Sequence, residues 1–134
     1  MNRLNILRRF LPGALLLFVL GGSFLAQAQE TLHNIPITEV AILPQYCQDR
    51  LNNQKNKEKW VSVFGNNGWI HLHHYCYGLN YYFRAGSEFD TRKRGKYAQK
   101  GIGQFDYVMR KWPASFQLYQ QAQMYKQQLQ VYVK

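Results

Sequence analysis

The sequence predicts an all-α fold, a short array of helical hairpins behind an N-terminal cap, and three observations carry that prediction. Apolar residues recur at helical spacing through the long segments 69–86, 97–112 and 114–134. Polar clusters and prolines punctuate them, with Pro113 closing the second. No stretch alternates apolar and polar residues for long enough to demand a strand. Successive helices with short breaks bury their apolar stripes on one another.

The first element is a leader. MNRLNILRRF gives a basic head, LPGALLLFVLGGSFL an apolar stretch and Ala26-Gln27-Ala28 a small-residue cleavage pattern, so residues 1–28 read as a secretory signal peptide and the mature chain starts near Gln29. No cysteine follows the pattern, which argues against a lipoprotein. The apolar run is interrupted by Gly21-Gly22 and is short for a stable bilayer span, so an uncleaved anchor is the lesser alternative. A periplasmic or otherwise exported location follows, and it separates the protein from cytosolic nucleic acid. Loss of Arg3, Arg8 and Arg9 lowers the formal charge from +10 to +7. About 106 residues remain, enough for one small basic domain. Aromatic residues form 16% of the chain, which favours a packed domain over a disordered tail.

Residues 29–68 read as a lead and helical cap. Pro36 holds ETLHNIPIT extended, Thr38 offers an N-cap, and Pro44 precedes a turn or two of helix carrying Tyr46, Cys47 and Leu51. NNQKNKEK is polar and expected to be exposed. Trp60, Val61, Val63 and Phe64 form a brief apolar run, closed by the turn signal Gly65-Asn66-Asn67-Gly68.

Residues 69–134 hold the long helices. On a 3.6-residue wheel, Leu72, Cys76, Leu79 and Phe83 share one narrow face of the first. His71 and His74 lie on an adjoining flank, and His73 projects elsewhere, near Tyr77 and Asn80. SEFDTRKRGK reads as a charged connection. The second helix puts Gly101, Phe105, Val108 and Trp112 on one stripe, widened by Ala98, Ile102 and Met109, and Gly101 or Gly103 is expected to let a neighbouring helix come close. The last helix aligns Leu118, Ala122, Tyr125, Leu129 and Tyr132, leaving Phe116, Tyr119, Met124 and Val133 off the stripe. Both cysteines fall in the exported part, so Cys47 and Cys76 are expected to form a disulfide.

From Gly101 the intervals to Phe105, Val108 and Pro113 are four, seven and twelve, a pattern that resembles the second helix of a tetratricopeptide repeat. Cys76, Leu79, Asn80 and Phe83 resemble first-helix positions, with Cys in place of an aromatic, Asn in place of a small residue, and a connection about nine residues longer than the standard repeat has. LPQYC and HHYCYGLN together resemble a group of exported bacterial proteins with a tetratricopeptide-like region. That resemblance implies a helical scaffold and binding domain, and it carries no catalytic residues.

The chemistry-bearing residues divide into two groups. His71 with His74, or His73 with Cys76, could each offer two metal ligands, but the pairs point different ways and a closed site needs more donors. Thiol catalysis needs a thiolate and an oriented base, and no CxxC or triad pattern supports it; neither an enzyme nor a cofactor is expected. Arg92, Lys93, Arg94 and Lys96 concentrate positive charge just before a helix, where backbone N–H groups could join them around an anion. The expected function is a periplasmic interaction or scaffold module that binds another envelope protein or a second copy. Its partner-binding residues are expected to be Phe116, Tyr119, Met124 and Val133, with weak affinity for anionic surfaces through the basic cluster. The alternative is a small metal- or redox-responsive protein using His71, His73, His74 and Cys76.

Overall fold

Prolines and one glycine set where the helices start and bend. The computed structural model describes residues 35–133, which form α1 (Ile37–Val40), α2 (Gln45–Leu51), α3 (Lys57–Ser87), α4 (Thr91–Lys111) and α5 (Tyr119–Gln130). The fold is all-α. Among the described residues there is no strand, and no helix is long and apolar enough to cross a membrane. The expected signal peptide and its cleavage pattern lie outside the described residues.

Pro36 and Pro44 stand at the N-cap positions of α1 and α2, where a missing N–H costs nothing and an extended ψ turns the chain into the helix. Thr38, expected as a cap, lies inside α1 instead, and no side chain caps that helix. Between α2 and α3 the backbone is left-handed at Asn53, Gln54 and Asn56. Asp49 fastens this turn from within the core. Its carboxylate accepts from Gln45 Nε2 at 3.0 Å, Asn56 Nδ2 at 3.0 Å and Trp60 Nε1 at 2.7 Å. The Asn56 hydrogen bond, reinforced by those of Trp60 and Gln45, outweighs burial and holds the carboxyl below its usual range.

α3 is two helical stretches joined at Gly65, with φ 70° and ψ 167°. The expected four-residue turn therefore narrows to a single residue. Gln117 Nε2 donates to the Val63 carbonyl beside the break at 3.2 Å. Helix then resumes, and Gly68 lets the Phe116 ring settle so near that a Cβ there would lie 2.8 Å from it. A side chain at Gly65 would meet nothing within 4 Å, so its requirement is purely conformational. Gly65→Ala is expected to cost about 1–3 kcal/mol in urea unfolding without loss of helical signal at rest. An unchanged midpoint would show that the bend does not depend on glycine.

The charged connection expected over 87–96 is absent as such. Asp90 Oδ1 accepts the Lys93 N–H at 2.9 Å and starts α4 at Thr91, so the basic cluster occupies the first turns of a helix and only residues 88–90 link α3 to α4. α3 and α4 are antiparallel. Tyr81 faces Tyr97, Tyr75 faces Phe105, and Asn67 Nδ2 donates to the Lys111 carbonyl at 3.1 Å. Two glycines set their approach: a Cβ on Gly78 would lie 2.7 Å from the Phe105 ring, and one on Gly101 would lie 3.2 Å from Tyr81 Cβ of α3 and 2.6 Å from Leu129 of α5. Gly103 faces open space, so the close approach belongs to Gly101.

α5 runs back along α4, with Lys126 paired to Asp106 at 2.7 Å and Tyr125 stacked on Phe105. It begins at Tyr119, later than the expected start near Ala114. Residues 113–118 turn instead, because Phe116 is drawn inward between Phe64 and Trp112. On the other side of α3, Cys47 and Cys76 form a disulfide between two fully buried cysteines, with Cα atoms 5.4 Å apart. α1 adds one clamp, Glu39 Oε2, which accepts from Asn80 Nδ2 at 2.6 Å and Arg84 Nε at 2.7 Å. Burial alone would raise the Glu39 carboxyl, but these hydrogen bonds and the Arg84 charge lower it. The boundary expected between residues 68 and 69 falls inside α3, whose Phe64 and Trp69 belong to one core.

Candidate functional site

The first turns of α4 and the residues after α5 lie side by side, and an open cleft of about 770 Å³ separates them. Arg92, Arg94 and Lys96 line one wall, and Val131, Tyr132 and Val133 line the other. The two walls approach each other at Gly95, where a Cβ would sit 3.4 Å from the Tyr132 carbonyl oxygen. Among the described residues, no acidic side chain lines the cleft.

The four cations do different work. Arg94 is structural: its Nε donates to the Glu88 carbonyl at 2.9 Å, and its guanidinium lies 5.4 Å from the Tyr132 ring centre. It therefore ties the 88–90 loop and the C-terminal wall together. Arg92, Lys93 and Lys96 are exposed. Lys93 and Lys96 are near enough to Asp90 for their charges to help lower its carboxyl, after the backbone hydrogen bond from Lys93. Arg92 has no ion-pair partner among the described residues. Cations at a helix N-terminus oppose the macrodipole, so an anion beside Arg92 and Lys96 would relieve two unfavourable arrangements at once.

A second cleft of about 540 Å³ adjoins the first and shares Val131 and Tyr132 with it. Its other walls are Tyr82, Phe83, Gly86, Ser87 and Gln128, none of them charged. Phe83, expected on the buried face of α3, is 38% exposed here because the end of α5 faces it across this cleft instead of packing on it. Val131 is 67% exposed and Phe89, in the 88–90 loop, is 93% exposed. This end of the bundle thus combines exposed positive charge with uncovered apolar side chains.

The four residues expected to bind a partner do not form one patch. Phe116 and Tyr119 are half-buried against the core, and only Met124 among the four is exposed. Val133 lies past the far end of the 12-residue α5, about 18 Å of helix away. Val133 alone of the four lines the cleft, together with Arg92, Arg94 and Lys96 of the expected anion-binding residues; Lys93 does not line it. The signal for the missed residue, Val131, was its place in a run of three consecutive apolar residues with Tyr132 and Val133, which one helix stripe cannot bury together.

The histidines line the side of α3 rather than its end. His71 Nδ1 lies 3.2 Å from the Tyr107 hydroxyl, and His74 Nδ1 lies 2.8 Å from Gln104 Oε1 with its ring against Tyr107. His73 Nδ1 accepts from Arg50 Nη2 at 3.2 Å, and Arg50 also donates through Nε to the Trp69 carbonyl at 3.1 Å. The neutral His73 ring therefore keeps its proton on Nε2, and a metal would have to displace that proton or the Arg50 contact. Cys76 is in the disulfide, and no group of three or more His, Cys, Asp or Glu arranged to hold a metal ion occurs among the described residues.

Burial, with the charges of His74 and Arg50, pulls His73 down to about 4. An unfolded histidine takes up its proton near pH 6.5, so between about 6.5 and 4 the unfolded chain binds more protons and stability falls as pH is lowered. Urea unfolding at pH 7.5 and 5.0 is expected to show that loss, and His73→Gln, which retains an acceptor for Arg50, is expected to reduce it. Equal pH dependence in the two proteins would assign the loss elsewhere.

Comparison with protein-family models, curated proteins and solved structures gives no match to this chain.

Proposed function

We propose that this chain is an exported helical interaction module and that the bundle end formed by α4 and residues 131–133 receives another envelope protein. One observation carries the reading: a cation-lined cleft opens directly onto a neutral, partly apolar one across Val131 and Tyr132. Adjoining apolar and charged recesses suit macromolecular recognition, in which apolar anchors supply affinity and charge supplies orientation. Among the described residues, the titratable side chains lining the first cleft are arginine, lysine and tyrosine, none of them a neutral-pH base. The disulfide-tied α2 and the clamped α1 serve in this reading to stiffen α3, one wall of the second cleft.

A different protein suits this end better than a second copy does. Two copies meeting here would set Arg92 and Lys96 against their own equivalents, a like-charge arrangement that costs binding energy. The test pairs light scattering with affinity capture from envelope extract, using wild type and the variant R92Q/K96Q/V131S, whose three sites are all exposed. The expected result is a monomeric wild type that retains a discrete protein, a variant of equal helical content, and at least tenfold less of that protein retained by it. Equal capture by the variant, or a dimer that the same substitutions dissolve, would overturn the proposal in favour of another surface or of self-association.

A further inference from the structure

We infer that the segment received by this end is an extended, acidic and apolar stretch of the partner, with carboxylates set over Arg92 and Lys96 and an apolar side chain lodged beside Phe83. The inference rests on the interaction reading above and specifies its chemistry. The two clefts differ in character yet share a ridge, Val131 and Tyr132. A chain crossing that ridge meets exposed positive charge on one side and neutral aromatic surface on the other. Arg94 is already committed to the Glu88 carbonyl and the Tyr132 ring, which leaves Arg92 and Lys96 as the cleft's available cations. An extended chain advances about 3.3 Å per residue, so a two-residue spacer sets the first apolar side chain about 10 Å beyond the last carboxylate, on the far side of the shared ridge.

An anionic membrane surface would use the same cations, but it fits the geometry less well. The side chain best placed to enter a bilayer is Phe89, and it stands between Glu88 and Asp90, whose carboxylates an anionic lipid surface repels. The cations and the neutral recess are also concave, which suits an inserted chain more than a plane.

Three fluorescein-labelled peptides of equal length test this with the protein as expressed. One carries two glutamates, a two-residue spacer, then leucine and phenylalanine; the second replaces the glutamates with glutamine; the third replaces the leucine and phenylalanine with serine. Phosphatidylglycerol vesicles form a fourth arm. Fluorescence anisotropy is expected to show binding of the first peptide and at least tenfold weaker binding of each of the others. R92Q/K96Q is expected to erase the preference for glutamate over glutamine while keeping that for leucine and phenylalanine, and F83S/V131S to do the reverse. Equal binding of the glutamine peptide overturns the inference while leaving the interaction reading intact, since the end would then dock a neutral segment. Vesicle binding with no peptide binding overturns it in favour of a lipid surface. Failure of every probe overturns it too, and envelope capture then decides separately whether the interaction reading survives.

Discussion

Replacing Cys47 and Cys76 together with alanine is expected to lower stability by about 3–4 kcal/mol, because a cross-link over nearly thirty residues removes that much loop-closure freedom from the unfolded chain. The bond joins residues 29 apart and cross-links α2 to the middle of α3. Both cysteines are fully buried, so reductant reaches them only through opening or unfolding, and the alanine pair is the cleaner comparison. At roughly 4–8 °C per kcal/mol for a domain of this size, the melting temperature should fall by well over ten degrees. Asp49 and Arg50 still hold α2 to the start and middle of α3, so the remaining helices are expected to stay folded at 25 °C. Hydrogen exchange should then speed up first in α2. A melting temperature unchanged by the double substitution would mean that these polar contacts fix α2 without the bond.

Phe105→Ala is expected to be comparably damaging, at about 3–5 kcal/mol. The ring is fully buried, lies edge-on to Tyr75 at 5.8 Å, stacks against Tyr125 at 5.9 Å, and fills the space over Gly78. It thus holds α3, α4 and α5 on one another. A paired substitution tests the contact itself. Gly78→Ala in the wild type drives a methyl to 2.7 Å from the ring and should destabilise. In the Phe105→Ala background the ring is gone, so the same change should be neutral or stabilising, since alanine favours helix over glycine by about 1 kcal/mol. Urea unfolding of the four proteins gives the coupling directly. Additive effects would show that Gly78 and Phe105 do not meet.

Helix type and most of the core were legible because they rest on periodicity. Leu72, Cys76, Leu79, Phe105, Val108 and Leu129 are buried as the helical wheels require. Boundaries were less legible, and each miss has a local cause. Asp90 is a favoured capping residue, yet the run Arg92-Lys93-Arg94 masked it, since net charge suggested a solvated connector where one carboxylate is enough to start a helix. Gly65 looked like part of a four-residue turn, but helix resumes directly after it and Gly68 lies within that helix against Phe116, a tertiary contact that no local pattern records. Phe83 lies in register with the buried face, and its exposure depends on where α5 stops, which no local pattern records. The cleft was half legible. Its cations were a visible cluster, whereas their meeting with Val131 and Tyr132 needs the antiparallel return of α5.

The central claim is that this end of the bundle meets a partner, and a photo-crosslinking residue placed at Val131 tests it most directly. Gly103, exposed and with open space around it, serves as the control position on the same domain. Illumination of producing cells is predicted to give one discrete heavier product from position 131, little or none from position 103, and loss of that product when Arg92 and Lys96 are both glutamine. No product from position 131, or the same product from both positions regardless of the two cations, would contradict the account.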